Sequence, residues 1–353
     1  MKRAPSTVEP GGPPFVRRGT IVLHGGDLGA ARAAFPLAPE PWLDLSTGIN
    51  PVPFPLPDIA PELWQRLPDR GEQALLEAAA ARAYAAGREA QVVAAPGTQA
   101  LIQLLPRLRP PGRVAVLGPT YAEHAYRWQA DGHAVTVVSR FEDLAAADVA
   151  VVVNPNNPDG RTISADDLMA LARRLAERDG LLVVDEAFAD VAPAGTSLLP
   201  RLGAGAPPTV VLRSFGKFFG LAGVRLGFAV TGDVPLADGL RQMIGPWAVS
   251  GPTLAVGTRA LGDGDWQANT RFRLACDALR LDAMLAEAGL PVRGGTTLFR
   301  LVETEHAQAW FEHLGRAGIL VRRFGEDHRH LRFGLPGTEA GWRRLAAALG
   351  CSP

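Results

Sequence analysis

The sequence predicts an α/β fold with a mostly parallel, seven-stranded sheet flanked by helices, followed by a smaller α+β domain. Three observations lead to this prediction. Short apolar runs without polar alternation recur up to residue 230, as in strands buried on both faces. Helical stretches separate several of these runs, which is typical of a parallel sheet. After Pro252 the pattern changes to a long helical stretch followed by short strands, and 353 residues suit two domains better than one core.

The predicted elements can be placed in order along the chain. The Pro- and Gly-rich residues 1–20 are predicted to be a loose leader, and the Pro-rich residues 51–57 an extended connector. The strands of the large sheet are predicted at 92–95, 114–117, 135–138, 149–153, 181–184, 210–212 and 226–230. Helices are predicted at 72–84, 99–108, 165–178, 266–288 and 338–349, and strands of the second domain near 298–302, 318–322 and 331–333. We therefore expect an N-terminal arm or part of the small domain (1–50), a large domain (51–250) and a small C-terminal domain (251–353).

Charge and composition argue against several kinds of partner. Lys plus Arg equals Asp plus Glu, at 36 each, so the net charge is about zero and predicts no nucleic-acid partner. The sequence has no apolar run of about 18 residues and no signal-peptide core near its start, which predicts no membrane partner and a cytoplasmic location. Cys276 and Cys351 fit no metal or redox spacing, so we expect free thiols and no metal.

The most informative segment is residues 212–227, LRSFGKFFGLAGVRLG. Ser214 precedes Lys217 by three residues, and Arg225 follows it by eight. A lysine in this setting can bond an aldehyde while the hydroxyl and the guanidinium hold a phosphate, which are the two requirements of pyridoxal 5'-phosphate (PLP). Taken alone, Lys217 is equally well explained as a surface lysine in a Gly-rich loop. A nucleotide-binding phosphate loop is excluded, because Phe218 stands where Ser or Thr is needed.

Other candidate residues follow the ends of predicted strands, where ligands bind in such sheets. Asp185 can balance a protonated ring nitrogen, and Asn157 can donate to a ring oxygen. Thr98 and Gln99 open a helix whose amides attract phosphate, and Tyr121 can stack on the ring. Each also has an ordinary explanation, as a strand-end Asp, a turn Asn, a helix N-cap or a packing aromatic.

Taken together, the motifs resemble fold-type I PLP enzymes, the aspartate aminotransferase superfamily, from about residue 40 to the end. The motifs are NPNNPDG (154–160), DEAF (185–188) and SFGK…AGVRLGF (214–228). The resemblance implies that Lys217 bonds the cofactor, that Asp185 pairs with the ring nitrogen, and that Asn157 bonds the ring oxygen. It further implies cofactor phosphate contacts and ring stacking from Thr98, Ser214, Arg225 and Tyr121. Arg332 lies in the strand where this superfamily carries the arginine that binds the substrate carboxylate.

Within this superfamily, the sequence resembles the threonine-phosphate decarboxylases of cobalamin biosynthesis. The resemblance rests on HGG (24–26) followed by S-x-x-I-N-P (46–51). It implies a homodimeric PLP-dependent lyase with its active site at the interface, which forms (R)-1-amino-2-propanol O-2-phosphate and CO2 from L-threonine O-3-phosphate. A histidinol-phosphate-type aminotransferase is the alternative. Phe188 and Leu67 count against it, because that type usually has tyrosine at both places. A non-enzymatic PLP-binding protein is disfavoured by the complete cofactor set.

A phosphorylated amino acid has two anionic ends, so its site needs cations beyond those that hold the cofactor. The predicted substrate-binding residues are His24, Gly25, Gly26, Asn50, Asn157, Arg322 and Arg332. Arg322 matches the position that holds the substrate phosphate in the histidinol-phosphate relatives, but the assignment of the two arginines to phosphate and carboxylate stays open. We hypothesise that the grip on the phosphate selects which Cα bond breaks, and that Lys217 is the proton donor.

Overall fold

The computed structural model describes residues 25–325 and 327–352, and it contains two sheets. Seven strands form the large sheet: β2 (Gln91–Ala95), β3 (Arg113–Leu117), β4 (Ala134–Val138), β5 (Val149–Val153), β6 (Leu181–Asp185), β7 (Thr209–Ser214) and β8 (Gly227–Thr231). Five form the small sheet: β1 (Leu43–Leu45), β9 (Val292–Thr296), β10 (Phe299–Glu303), β11 (Ile319–Phe324) and β12 (Asp327–Gly334).

Helices cover both faces of the large sheet and pack against the small one. In chain order they are α1 (Leu28–Ala34), α2 (Glu62–Gln65), α3 (Arg70–Ala83), α4 (Thr98–Leu104), α5 (Glu123–Ala130), α6 (Ala165–Ala176), α7 (Phe215–Phe218), α8 (Val234–Ile244), α9 (Gly251–Gly262), α10 (Gly264–Glu287), α11 (Ala307–Arg316) and α12 (Glu339–Leu349). No helix among the described residues is both long enough and apolar enough to cross a membrane.

All seven strands predicted up to residue 230 are present in the large sheet, in the order β2-β8-β7-β6-β5-β3-β4. Every strand except β8 runs in the same direction. Because β8 is antiparallel to its neighbours, its first residue, Gly227, lies opposite Ala95 and Ser214, the last residues of β2 and β7. Arg225 therefore enters the sheet at the edge where the parallel strands end, which is where ligands bind in such folds.

The apolar runs of the inner strands do not alternate with polar residues, because both faces of these strands are buried. Odd and even residues of a strand point to opposite faces, and both faces are covered by helices. Val149 and Val151 of β5 belong to one buried cluster, and Ala150 and Val152 belong to the other. Strand β4 departs from the prediction of burial on both faces. It is an edge strand, and its residue Val137 is 58% exposed.

The small sheet has the order β1-β11-β12-β10-β9. Strand β1 joins it by parallel pairing with β11, so residues 43–45 build part of this sheet. The prediction missed β9, because its sequence VRGGT contains two glycines and no apolar run. The domain boundaries at residues 50 and 250 stay predictions.

A contact between glycines joins the two sheets near the predicted site. A Cβ on Gly160, in the NPNNPDG loop, would lie 2.0 Å from the carbonyl oxygen of Gly295 in β9. A Cβ on Gly294 would lie 2.1 Å from the carbonyl oxygen of Asp159. The loop that carries Asn157 thus lies directly against the backbone of β9, and only residues without side chains allow this approach.

We expect Gly160→Ala to destabilise the protein through this contact. Gly160 has a φ of +74°, so the substitution adds backbone strain to the steric overlap. Gly195→Ala is the matched control, because Gly195 has a φ of +82° and no heavy atom within 4 Å of its Cβ position. Gly160→Ala should lower the free energy of unfolding by about 1–3 kcal/mol more than the control does. Urea unfolding measures the difference, and equal losses in the two variants would contradict the proposed role of the contact.

Candidate active site

A cavity of about 910 Å³ opens at the carboxyl ends of the parallel strands and reaches the small sheet. Most of the predicted site residues line it. They are Gly25, Thr98, Gln99, Tyr121, Asn157, Asp185, Ser214, Lys217, Arg225, Arg322 and Arg332. The structure therefore brings together side chains from both sheets that lie up to about 300 residues apart in sequence.

Lys217 lies in α7, a single helical turn that follows β7 directly. Its Nζ lies 5.7 Å from the ring centroid of Phe188. Burial of the ammonium group is the main cause that lowers the pKa of Lys217, to about 8. The positive charges of Arg332 and Arg225 lower this pKa further, and the carboxylate of Asp185 opposes them. A lysine with such a pKa is partly neutral near physiological pH, as a nucleophile or a proton carrier must be.

Asp185 ends β6 and is only 4% exposed. Its Oδ2 accepts a hydrogen bond from Nε2 of His124 at 2.9 Å, and its Oδ1 accepts one from the Ala187 amide at 3.0 Å. His124 is 1% exposed and was not predicted from the sequence. The available signal was its place in α5, which follows the same strand end as Tyr121. These contacts satisfy a buried carboxylate that also lines the cavity.

We expect His124→Ala to lower the kcat of the reaction at this site about 10-fold, since Asp185 loses one of the two partners that fix its orientation. The free energy of unfolding should fall at the same time. His133→Ala is the control, because His133 is also buried but bonds the carbonyl of Pro106 and the amide of Gly112, away from the cavity. The control should lose stability and keep its kcat. If both variants lose kcat in proportion to their stability, His124 has no specific role in the site.

The start of α4 forms one end of the cavity. Gly97 precedes it with a φ of +87°, and no side chain in the described part of the chain caps the helix. A Cβ on Gly97 would lie 2.7 Å from Nη2 of Arg225, so the missing side chain lets the guanidinium lie against this turn. Thr98 and Ser214 also line this end of the cavity. Exposed amides, two hydroxyls and a guanidinium together suit a phosphate group.

A hydrogen-bonded network forms a neighbouring wall. The Tyr121 hydroxyl donates to Oε1 of Gln99 at 3.1 Å, and Nε2 of Gln99 donates to Oε2 of Glu123 at 2.7 Å. Nε of Arg127 donates to the same Glu123 oxygen at 3.0 Å. Burial and then the nearby carboxylates raise the pKa of Tyr121 to about 12. Tyr121 is therefore a neutral aromatic ring held in place by its hydroxyl, and Glu123 and Arg127 are further residues that the sequence analysis missed.

Two arginines from the small sheet reach the cavity. Arg322 in β11 and Arg332 in β12 are directly opposite each other in the antiparallel pair, so their side chains project from the same face. Arg332 is 6% exposed, donates to Oδ1 of Asn157 and to the Ser46 carbonyl oxygen (3.0 Å), and lies over the Phe299 ring. The Nε atom of Arg332 has no hydrogen-bond partner among the described residues. Burial and the like charge of Arg322 lower the pKa of Arg332 to about 9.

Two of the predicted substrate contacts, Asn50 and Gly26, are described residues that do not line the cavity. Asn50 is outside the cavity lining and 1% exposed, because its side chain bonds the carbonyl oxygen of Phe218 and Nη2 of Arg273. These bonds occupy the side chain with protein groups, and the contact of Asn50 with substrate stays a prediction. The Gly26 amide donates to Oγ of Ser46 at 2.7 Å and so is already occupied. Only Gly25 of this pair lines the cavity. His24 lies outside the described residues.

Comparison with known proteins agrees with this geometry. Residues 55–349 match the family model "Aminotransferase class I and II". The chain belongs to this aminotransferase family. A relative in Pseudomonas aeruginosa, named threonine-phosphate decarboxylase, is 46% identical over 93% of the chain and 97% of its own length. Histidinol-phosphate aminotransferase 1 of Mesorhizobium japonicum is 30% identical over 82% and 84%.

Solved structures of class I and II aminotransferases share the fold. The histidinol-phosphate aminotransferase of Sinorhizobium meliloti, solved in complex with pyridoxal-5'-phosphate, superimposes with a TM-score of 0.77 at 23% identity. The match covers 95% of this chain and 97% of that one. The predicted α/β fold with a mostly parallel seven-stranded sheet is thus confirmed as the class I and II aminotransferase fold.

Proposed function

We propose that this protein is a PLP-dependent threonine-phosphate decarboxylase, which releases CO2 from L-threonine O-3-phosphate and leaves (R)-1-amino-2-propanol O-2-phosphate. The observation that carries the proposal is the pair of facing arginines, Arg322 and Arg332, in the cavity that also holds Lys217. Like charges directly opposite on neighbouring strands repel each other. A substrate with two anionic groups relieves this repulsion. The 46% identity to the Pseudomonas aeruginosa relative supports the same substrate, and the resemblance places the product in cobalamin synthesis.

The residues of the cavity fit PLP. The Gly97 turn, which a Cβ would fill, offers amides and the Arg225 guanidinium to the cofactor phosphate, and Thr98, Gln99 and Ser214 complete this group. Asp185, held by His124, would face the ring nitrogen at the other end. Because Oδ1 of Asn157 accepts from Arg332, its Nδ2 group is the donor it has to offer a ring oxygen. When bound, PLP withdraws electrons from the substrate Cα, so that a bond to that carbon breaks more easily.

The orientation in which the protein holds the substrate determines which bond to Cα breaks. Arg332 is fixed by Asn157 and by the Ser46 carbonyl, so it binds an anionic group in one orientation. Arg322 grips the second anionic group from the neighbouring strand. Binding of the substrate by these two arginines fixes the rotation about the bonds of Cα. The carboxylate then leaves as CO2 with its bonding electrons left on Cα.

Lys217 completes the reaction by proton transfer. The electron pair left at Cα takes up one proton, so that the product carries hydrogen where the substrate carried the carboxylate. Nζ of Lys217 is the nearby group with a pKa of about 8, which suits a proton donor near neutral pH. Phe188 next to it is 4% exposed and packs edge-on against Phe299 at 5.0 Å, so this wall of the site is apolar and keeps water out.

A direct assay tests the proposed function. PLP-loaded protein is incubated with L-threonine O-3-phosphate, and both CO2 and the aminopropanol phosphate are measured. We expect equimolar amounts of the two products. In a parallel reaction, histidinol phosphate and 2-oxoglutarate should yield no glutamate beyond a trace. Glutamate formation at a rate comparable to decarboxylation would support the aminotransferase function instead.

We also propose that the protein is a cytoplasmic homodimer with the active site at the interface. Large apolar side chains near the short helix α2 are exposed, namely Leu56, Trp64 and Leu67 at 66%, 69% and 63%. Exposed apolar groups this close together favour a contact with another copy of the chain. Light scattering coupled to gel filtration should give twice the mass of 37.4 kDa, and Trp64→Asp should shift the protein toward a monomer.

A further inference from the structure

We infer that Asn50 is a positioning residue for Lys217: it caps the helical turn that carries the lysine, and Arg273 of α10 fixes its side chain. The inference rests on the proposed function for the role of Lys217 only. Its evidence is a set of hydrogen bonds that lie behind the cavity rather than in it.

The turn that carries Lys217 depends on partners outside itself. Helix α7 has only four residues, Phe215–Phe218, so its backbone carbonyls have few partners within the helix. Asn50 supplies donors to two of them. Its backbone amide donates to the Lys217 carbonyl oxygen and its Nδ2 donates to that of Phe218, both at 2.9 Å. One residue from a segment 167 positions away thus holds both peptide groups that follow the lysine Cα.

The side-chain amide of Asn50 is held in one orientation. Oδ1 accepts from the Val52 amide at 3.1 Å and from Nη2 of Arg273 at 2.8 Å. Since both of these partners are donors, the oxygen must face them, and Nδ2 must face the Phe218 carbonyl. Arg273 is held in turn by Asp277, one turn further along α10, at 3.1 Å. The chain of contacts therefore runs from α10 to the lysine-bearing turn.

Close packing between the Asn50 segment and the turn fixes the position of Lys217. Gly220 closes the turn with a φ of +69°, and a Cβ there would lie 2.7 Å from the Asn50 carbonyl oxygen. The two segments are therefore packed with no room to shift. A catalytic group displaced by about 1 Å can lose on the order of 10²-fold in rate. Asn50 acts on the reaction through this placement of Lys217, without touching the substrate.

The test uses two variants and a readout that does not depend on activity. The chain contains two lysines, Lys2 and Lys217, so amine labelling of the PLP-free protein followed by peptide mass spectrometry reports Lys217 with Lys2 as internal reference. In Asn50→Ala, the pH midpoint of Lys217 labelling should rise by about half a pH unit or more, because water reaches a loosened turn. In Arg273→Met, which keeps the cap but releases its orientation, the midpoint should rise by less. Arg280→Met is the control, since Arg280 of the same helix bonds Glu339 instead, at 2.6 Å.

In the PLP-loaded protein, Asn50→Ala should lower kcat about 10-fold and leave KM for threonine phosphate within about twofold. A higher KM with unchanged kcat and an unchanged labelling midpoint would overturn the inference, because it would place Asn50 in contact with substrate. Equal effects of Arg273→Met and Arg280→Met would also overturn it. If Asn50→Ala does not fold, the Arg273→Met comparison alone decides. Because labelling is read without substrate, a failure of the proposed reaction leaves this test intact.

Discussion

Lys217→Ala should abolish both decarboxylation and the visible absorbance of bound PLP. The sequence contains only one other lysine, Lys2, which lies outside the described residues. Among the residues that the structure describes, Lys217 is therefore the lysine that lines the cavity shared by Asp185 and Arg225. Loss of a proton-transfer group alone costs about 10²- to 10⁴-fold in rate, and loss of the covalent bond to the cofactor adds to this. Borohydride reduction followed by peptide mapping should attach the cofactor to Lys217 in the wild type and to no residue of the cavity in the variant.

The pH dependence of stability gives an independent test of the same residue. The folded protein lowers the pKa of Lys217 to about 8, whereas an unfolded chain has the ordinary lysine value of about 10.4. The unfolded state thus binds more protons between these values, and the PLP-free wild type should gain stability as the pH rises from about 8 to about 10. Lys217→Met lacks this dependence and should be more stable than the wild type at pH 7. If the difference in free energy of unfolding between the wild type and Lys217→Met were the same at pH 7 and pH 10, it would contradict burial of the charged lysine.

Strand-end positions explain why so much of the site could be predicted from sequence. Asp185 and Ser214 are the last residues of β6 and β7, which run parallel and pair directly. Once the strands are recognised, the parallel topology brings their ends together without further information. His124 was missed because its contact with Asp185 depends on α5 turning back over the end of the sheet. No local pattern encodes that direction.

Asn50 shows what could not be predicted from the sequence. Its segment resembles one that binds substrate, and a polar residue beside such a motif is easily assigned to the ligand. The structure instead directs its amide to a backbone carbonyl 168 residues away. Which hydrogen-bonding partner a buried amide finds is decided by tertiary packing, and the sequence carries no separate signal for it. Strand β9 was missed for a related reason, because its glycines serve the close approach of the NPNNPDG loop rather than a strand pattern.

Replacing Arg322 or Arg332 should show how much each arginine contributes to binding one anionic group of the substrate. Arg332→Met removes a buried guanidinium whose hydrogen bonds to Asn157 and Ser46 fix its direction. Loss of one partner of a buried charge pair costs about 2–5 kcal/mol, so kcat/KM for threonine phosphate should fall about 10²- to 10³-fold. Arg322→Met should cause a loss of similar size. Arg323→Met is the control, since this neighbouring side chain is exposed and bonds Gln308 away from the cavity.

Binding of the reaction product shows which arginine holds which anionic group, because the product keeps the phosphate and lacks the carboxylate. We expect Arg332, which is buried beside Asn157, to bind the carboxylate, and Arg322 to bind the phosphate. Arg332→Met should then bind aminopropanol phosphate as tightly as the wild type, while Arg322→Met should bind it at least about 10-fold more weakly. The reverse pattern would exchange the two assignments. If both variants bound substrate and product like the Arg323→Met control, the facing arginines would not be the substrate grips, and the main argument for a doubly anionic substrate would fail.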